Sequence, residues 1–283
     1  MPGDREPAVA GQFYEADANA LSDQVADAFT HRLGPGTMPA PGDGPPDATG
    51  IVSPHAGLPY SGPVAAHGYA EMARQGRPEV VVLVGPNHSG IGDPVAVSAA
   101  DRWRTPLGTV PVDEGVRDRL LDATPSATLD EAAHRGEHSL EVQLPFLQVL
   151  YEAPPTIVPV VMSRQDRDTA LDLGSALATV VAETDESVVL VASTDLTHYE
   201  PQSVATENDA TIVDRIEALD ATGLLDVVAR QSLSMCGYGP TAAVLHASAT
   251  VGASAGRSLQ YATSGDLTGS TDEVVGYCSA VLV

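Results

Sequence analysis

Three apolar runs in this chain end on polar groups that core packing does not require. Residues 79–90, EVVVLVGPNHSG, carry valines into Gly85, Pro86, Asn87 and His88. Residues 51–62, IVSPHAGLPYSG, carry a shorter run into Pro54 and His55, and residues 188–201, VVLVASTDLTHYEP, lead into Asp195 and His198. Valine-rich runs suit the buried strands of a parallel sheet, and open α/β sheets take ligands beyond the carboxyl ends of their strands. If the three runs are parallel neighbours, His55, His88 and His198 emerge on one sheet edge. Gly85 and Pro86 are expected to stop their strand so that the next turn aims His88. For any one of these residues alone, a surface histidine after a turn is the competing reading.

A thiol adds to the set. In SMCGYGPTAAVLHA, residues 234–247, Cys236 precedes a Gly-rich turn and a helix with Pro240 in its first turn. A helix N-terminus lowers a thiol's pKa and makes thiolate available as metal ligand or nucleophile; the alternative is a small buried cysteine capping a turn. Cys278, within VVGYCSAVLV, is expected in strand core, and the two cysteines are expected as separate thiols. In EHSLEVQLPFLQVL, residues 137–150, Glu137 stands at a helix start, where the dipole favours an acid for structural reasons alone. Asp130, His134 and His138 are spaced four apart and would align on a helix, but Gly136 interrupts it.

Two imidazoles and a thiolate from distant segments do not resemble the CxxC pairs of a structural zinc site, and three protein ligands leave an open position. Such donors suit iron, copper or zinc and not calcium or magnesium. Two hydrolytic rivals exist. Ser193, His198 and Asp195 lie close in sequence but without a GxSxG elbow, and Cys236 with a histidine forms the stronger alternative.

The elements that must position these groups alternate along the chain. Residues 16–33 have helical apolar spacing, and residues 34–47 are too rich in Gly and Pro for regular structure. Strands are expected at 50–53, 80–84, 95–98, 156–162, 188–192, 259–263 and 274–283, with helices near 62–74, 113–121, 139–149, 166–183, 203–217 and 239–248. This order predicts a single α/β domain over residues 1–283, a three-layer sandwich with a central, largely parallel or mixed sheet covered by helices on both faces.

Bulk composition narrows the partners. The 283 residues are 43% apolar, and 38 acids face 14 basic residues, all arginine, for a net charge of −24. That surplus repels phosphate backbones and anionic lipid, so neither nucleic acid nor a membrane surface is expected as partner. Acids spread along the chain fit a solvated surface adapted to a salty cytoplasm, where screening relieves self-repulsion. The melting temperature is accordingly expected to rise between low and molar KCl; a flat or falling profile would contradict the halophilic reading. No run reaches the ~18 apolar residues of a membrane helix, which makes a cytoplasmic location the expectation.

The segments AVAGQFYEAD, PHAGLPYSG, GPNHSG, EHSLEVQLPFL, STDLTHYEP and MCGYGP, in this order, resemble the Memo family from about residue 7 to the C-terminus. The resemblance implies a fold related to the class III extradiol dioxygenases, which are non-haem iron enzymes. It implies His55, His88 and Cys236 as the metal set, with Asp195 and His198 lining the same pocket. A thiolate where the related dioxygenases have a carboxylate argues against ring cleavage and suits copper or redox-active iron. It also implies a pathway link to a radical-SAM protein. The chain departs from the family pattern at Glu15, where proline is frequent, and at Leu58, where an aromatic is common. The expectation is an iron- or copper-dependent oxidoreductase in which Asp195 orients His198 and His198 moves protons for oxygen or for an unidentified small-molecule or peptide substrate. The alternatives are a non-catalytic peptide- or ligand-binding module and a zinc- or Cys-dependent hydrolase.

Overall fold

The computed structural model describes residues 3–283. Its strands are β1 (Asp4–Arg5), β2 (Gly50–Ser53), β3 (Val80–Pro86), β4 (Val95–Val97), β5 (Arg102–Thr105), β6 (Gly108–Pro111), β7 (Thr128–Leu129), β8 (Thr156–Met162), β9 (Val188–Ser193), β10 (His198–Glu200), β11 (Gly256–Thr263) and β12 (Val274–Leu282). A small sheet joins β1, β5 and β6. The large sheet runs β10, β12, β2, β9, β3, β8, β4, β7, with β11 also pairing β12. Its centre, β2, β9, β3 and β8, is parallel, and antiparallel β12 and β4 flank that centre. The sheet is therefore mixed with a parallel heart.

The α-helices are α1 (Ala18–Thr30), α2 (Leu58–Gln75), α3 (Glu114–Ala123), α4 (Leu144–Leu150), α5 (Arg167–Glu183), α6 (Gln202–Glu217), α7 (Ala221–Gln231), α8 (Tyr238–Thr250) and the short α9 (Ser264–Thr268). Alternation along β3 sorts them into layers. Val80, Val82 and Val84 share a core with Leu177 of α5, Leu224 of α7 and Val244 of α8. Val81 and Leu83 face the other way, toward Phe29 of α1, Tyr69 of α2 and Phe146 of α4. None of these five strand residues is more than 1% exposed, so each contributes roughly 1.5–3 kcal/mol of burial free energy. Helices thus cover both faces, giving the expected three-layer sandwich. Part of the acid surplus caps them: Asp17, Asp113, Asp166 and Asp220 each accept a backbone N–H at a helix start.

Some details differ from expectation. β3 does not stop at Val84, because Gly85 and Pro86 remain paired with Val161 and Met162 of β8. Pairing with β9 ends at Val84, so the missing N–H of Pro86 costs no ladder bond on that side. The expected helix at 139–149 is a 3₁₀ turn, Glu141–Gln143, followed by α4. Helices α7 and α9 and strands β1, β5, β6, β7 and β10 lie outside the expected set. Cys236 and Cys278 are free thiols, and Cys278 is buried in β12 as expected. Among the described residues no helix is long and apolar enough to cross a membrane.

Candidate metal centre

Strands β2, β9 and β3 lie side by side and parallel, ending at Ser53, Ser193 and Pro86. His55, Asp195 and His88 each follow one of these ends by two residues, at the carboxyl edge where such sheets place ligands. Cys236 arrives from the turn before α8. Its neighbour Gly237 passes so close to β9 that a Cβ there would sit 2.7 Å from Ser193 O, which only glycine avoids. His55 Nε2 lies 3.2 Å from Cys236 Sγ, and one ligand atom each from His55, His88 and Cys236 fall within 4.8 Å of one another. The structure therefore brings the three expected ligands together.

His88 is aimed by Glu137. Its Nδ1 lies 2.9 Å from Glu137 Oε1 and its backbone N–H donates to Oε2 at 2.6 Å. An ionised carboxylate only accepts, so Nδ1 of His88 carries a proton, and in the neutral ring Nε2 is the bare nitrogen. The backbone N–H groups of His138 and Ser139 also donate to Oε1, both at 2.9 Å. Burial alone would push the Glu137 carboxyl up, but the bond and charge of His88 and the backbone donors outweigh it and hold it at about 2. The segment that carries Glu137 crosses β3 at Gly85, where a Cβ would meet Leu140 Cδ2 at 2.7 Å and Ser139 Oγ at 2.9 Å.

His138, singled out in the sequence only as part of a helical set with Asp130 and His134, is a third imidazole at the centre. Its ring stacks on His88 at 4.6 Å, meets His55 edge-on at 5.5 Å and packs on Phe13 at 4.5 Å. His88, Glu137 and His138 form a second group with ligand spacing. Glu137 already receives four N–H donors over its two oxygens, three at Oε1 and one at Oε2, so its carboxylate is engaged in orienting His88 and the first group holds the less engaged donors. The notion of Asp130, His134 and His138 aligned on a helix fails. Only a short 3₁₀ turn forms there, and His134 turns inward to place Nε2 3.1 Å from Ala96 O and its ring against Trp103.

Burial sets the electrostatics. It holds His55 well below the ordinary imidazole range, with the neighbouring histidines adding to the effect, and it lowers His138. Burial and the nearby Asp195 push the Cys236 thiol upward. That corrects the expectation of a thiolate at a helix N-terminus: the desolvation and the neighbouring carboxylate outweigh the helix end. Without a cation the thiol keeps its proton, and an arriving ion must displace it.

Asp195 and His198 also take up roles other than those expected. Asp195 does not orient His198; its Oδ1 accepts the backbone N–H of His55 at 2.8 Å and of Ala56 at 3.3 Å. His198 Nδ1 lies 2.8 Å from Leu196 O and 3.0 Å from Ser234 O, so these carbonyls place a proton on Nδ1, and in the neutral ring Nε2 is the bare nitrogen. Ser193 is bonded to His55 and not to His198, which dissolves the Ser-His-Asp alternative. The departures at Glu15 and Leu58 both line a cavity of about 550 Å³ together with Asp23, Asp27 and His31. None of His55, His88 and Cys236 lines that cavity.

Fold and site define a three-layer α/β protein with two imidazoles and a thiol gathered at the carboxyl edge of a mixed sheet. Its fold is shared with an uncharacterized Escherichia coli K12 protein of known structure, at a TM-score of 0.54 and 17% identity, over 74% of this chain and 88% of that one. The family profile described as Memo-like protein matches residues 5–281. A MEMO1 family protein of Methanopyrus kandleri is 48% identical over 98% of both chains, and one of Methanothermobacter thermautotrophicus is 46% identical over 96% of this chain and 98% of its own. The chain belongs to the Memo family.

Proposed function

We propose that the chain is a metal-dependent redox enzyme that holds iron or copper on His55, His88 and Cys236, with zinc as the alternative ion. The observation that carries this reading is the approach of His55 Nε2 to Cys236 Sγ at 3.2 Å, with a ligand atom of His88 within 4.8 Å of both. When bound, such an ion would supply one-electron chemistry toward oxygen or a reductant. His198 serves as the proton carrier through its bare Nε2, and Asp195 fixes the backbone of His55. The substrate is a small molecule or peptide met in the cytoplasm, with a radical-SAM protein in the same pathway and neither nucleic acid nor membrane as partner. A Cys-dependent hydrolase is disfavoured by the raised thiol. Exposed Tyr60 and Tyr199, at 47% and 73%, support the alternative of a non-catalytic binding module.

The test is oxygen uptake by protein loaded anaerobically with iron(II) or copper and then supplied with oxygen and a reductant. Uptake above that of metal-free protein is expected, and His198→Gln should reduce it. If no loaded form consumes oxygen while a peptide binds in a His88-dependent manner, the binding module replaces the enzyme.

A further inference from the structure

The hydrogen bonds behind His55 form a chain in which each acceptor dictates the next donor. Ser193 Oγ has three neighbours: Ser139 O at 2.6 Å, Gln143 Nε2 at 2.8 Å and His55 Nδ1 at 2.9 Å. A carbonyl only accepts, so the single hydroxyl proton of Ser193 goes to Ser139 O. The orientation of the Gln143 amide is fixed in turn. Its Nε2 also lies 3.0 Å from Pro54 O, and its Oε1 receives the hydroxyls of Ser53 at 3.0 Å and Tyr69 at 2.8 Å. Exchanging the amide nitrogen and oxygen would set Oε1 against the Pro54 carbonyl, so the nitrogen faces Ser193. With its own proton committed and Gln143 donating to it, Ser193 Oγ can only accept from His55 Nδ1. Ser53, Tyr69, Ser139, Gln143 and Ser193 are all 0% exposed, and His55 is 1% exposed, which leaves bulk water no part in the arrangement.

We propose that Gln143 and Ser193 form a tautomer lock that keeps the His55 proton on Nδ1 and presents a bare Nε2 to Cys236. Both are positioning residues: neither touches the ion, and both act through the His55 ring. The lock completes a symmetry of means, since a carboxylate fixes the proton of His88 and a neutral amide and hydroxyl fix that of His55. A neutral device suits the deeper ring, because a second buried carboxylate beside Asp195 would require its own partners. The part of the proposal that concerns ion binding rests on the reading of His55 as a ligand; the part that concerns the proton does not.

The experiment is long-range proton–nitrogen correlation spectroscopy on ¹⁵N-labelled, metal-free protein, with the His55 signals identified by their loss in His55→Gln. The expected pattern is a pyrrole-like Nδ1 and a pyridine-like Nε2. The reverse pattern in the wild-type protein overturns the lock without recourse to any other variant. Ser193→Ala removes the acceptor and should give a mixture of tautomers, with zinc affinity falling about 10- to 100-fold in competition with a chromophoric chelator. Ser193→Thr keeps the hydroxyl and should retain the Nδ1–H form. A Ser193→Ala protein with the wild-type pattern and wild-type zinc affinity also overturns the proposal. Wild-type protein that shows the Nδ1–H form but binds neither zinc, iron nor copper would refute the metal reading and leave the lock standing.

Discussion

Cys236→Ala is expected to weaken iron(II), copper or zinc binding by at least about 100-fold, more than the 10- to 100-fold typical of losing a residue that merely supports a ligand. The substitution leaves two imidazoles and removes the soft donor that sets the ion preference. It should spare the fold, because no charge is stranded: burial keeps the thiol protonated in the absence of an ion. His138→Ala provides the contrast. His138 belongs to the group with Glu137 and His88, but both Glu137 oxygens already accept N–H donors. Its loss should change affinity by less than about tenfold, since it removes neither a ligand nor a ligand's hydrogen-bond partner. Titration against a competing chelator reads both variants. Strong loss in His138→Ala with none in Cys236→Ala would move the ion to the other group.

Arg5→Ala is expected to cost about 3–5 kcal/mol of stability, the usual penalty for stranding a buried charge. Arg5 and Glu141 meet at 2.6 Å with side chains 2% and 0% exposed. The guanidinium also donates to His134 O at 2.8 Å and to Glu137 O at 2.7 Å, and lies 4.0 Å from the Trp103 ring centre. Glu141 in turn accepts from Ala8 N, Val9 N and the Tyr14 hydroxyl. Removing the cation leaves a carboxylate with no counter-charge and unties the N-terminal segment from the loop that carries Glu137. In thermal melts the loss should amount to on the order of 10 °C. Arg102 offers a control. It pairs with Asp4 at 2.9 Å but is 54% exposed, so Arg102→Ala should cost no more than about 1 kcal/mol. Equal shifts for the two variants would contradict this account.

The central strands were legible because β-branched runs report burial on both faces, which is a local property of composition. The strand ends at 53 and 162 and the alternation of helices followed from the same reading. Strands β5 and β6 escaped it because each has only four residues, β5 alternating exposed and buried side chains and β6 burying Val110 alone, and their pairing comes from neighbouring segments and not from a local apolar run. Helix α7 carried a usable signal: Asp220 caps it, and Leu224, Leu225, Val227 and Val228 face the core. At the site, His55, His88 and Cys236 could be found because position after a strand or before a helix implies a shared edge. The partners could not. Glu137 looked like a residue for the helix dipole, and its bond to His88 depends on how the loop crosses Gly85. Gln143 lies inside an amphipathic run where a single amide resembles a surface residue, yet it is fully buried.

One residue joins the supports of both rings. Ser139 donates its N–H to Glu137, the partner of His88, and accepts at its carbonyl from Ser193, the partner of His55. Its hydroxyl is fastened to Pro86 O at the end of β3. The directions of the two nitrogen donors are therefore settled when the chain folds, before any ion arrives. On the proposed metal reading, an ion would meet a socket already shaped, and little ordering entropy would remain to be lost on binding. The corollary of that reading would be reduced tolerance: a site that cannot rearrange its donors would discriminate chiefly by coordination geometry.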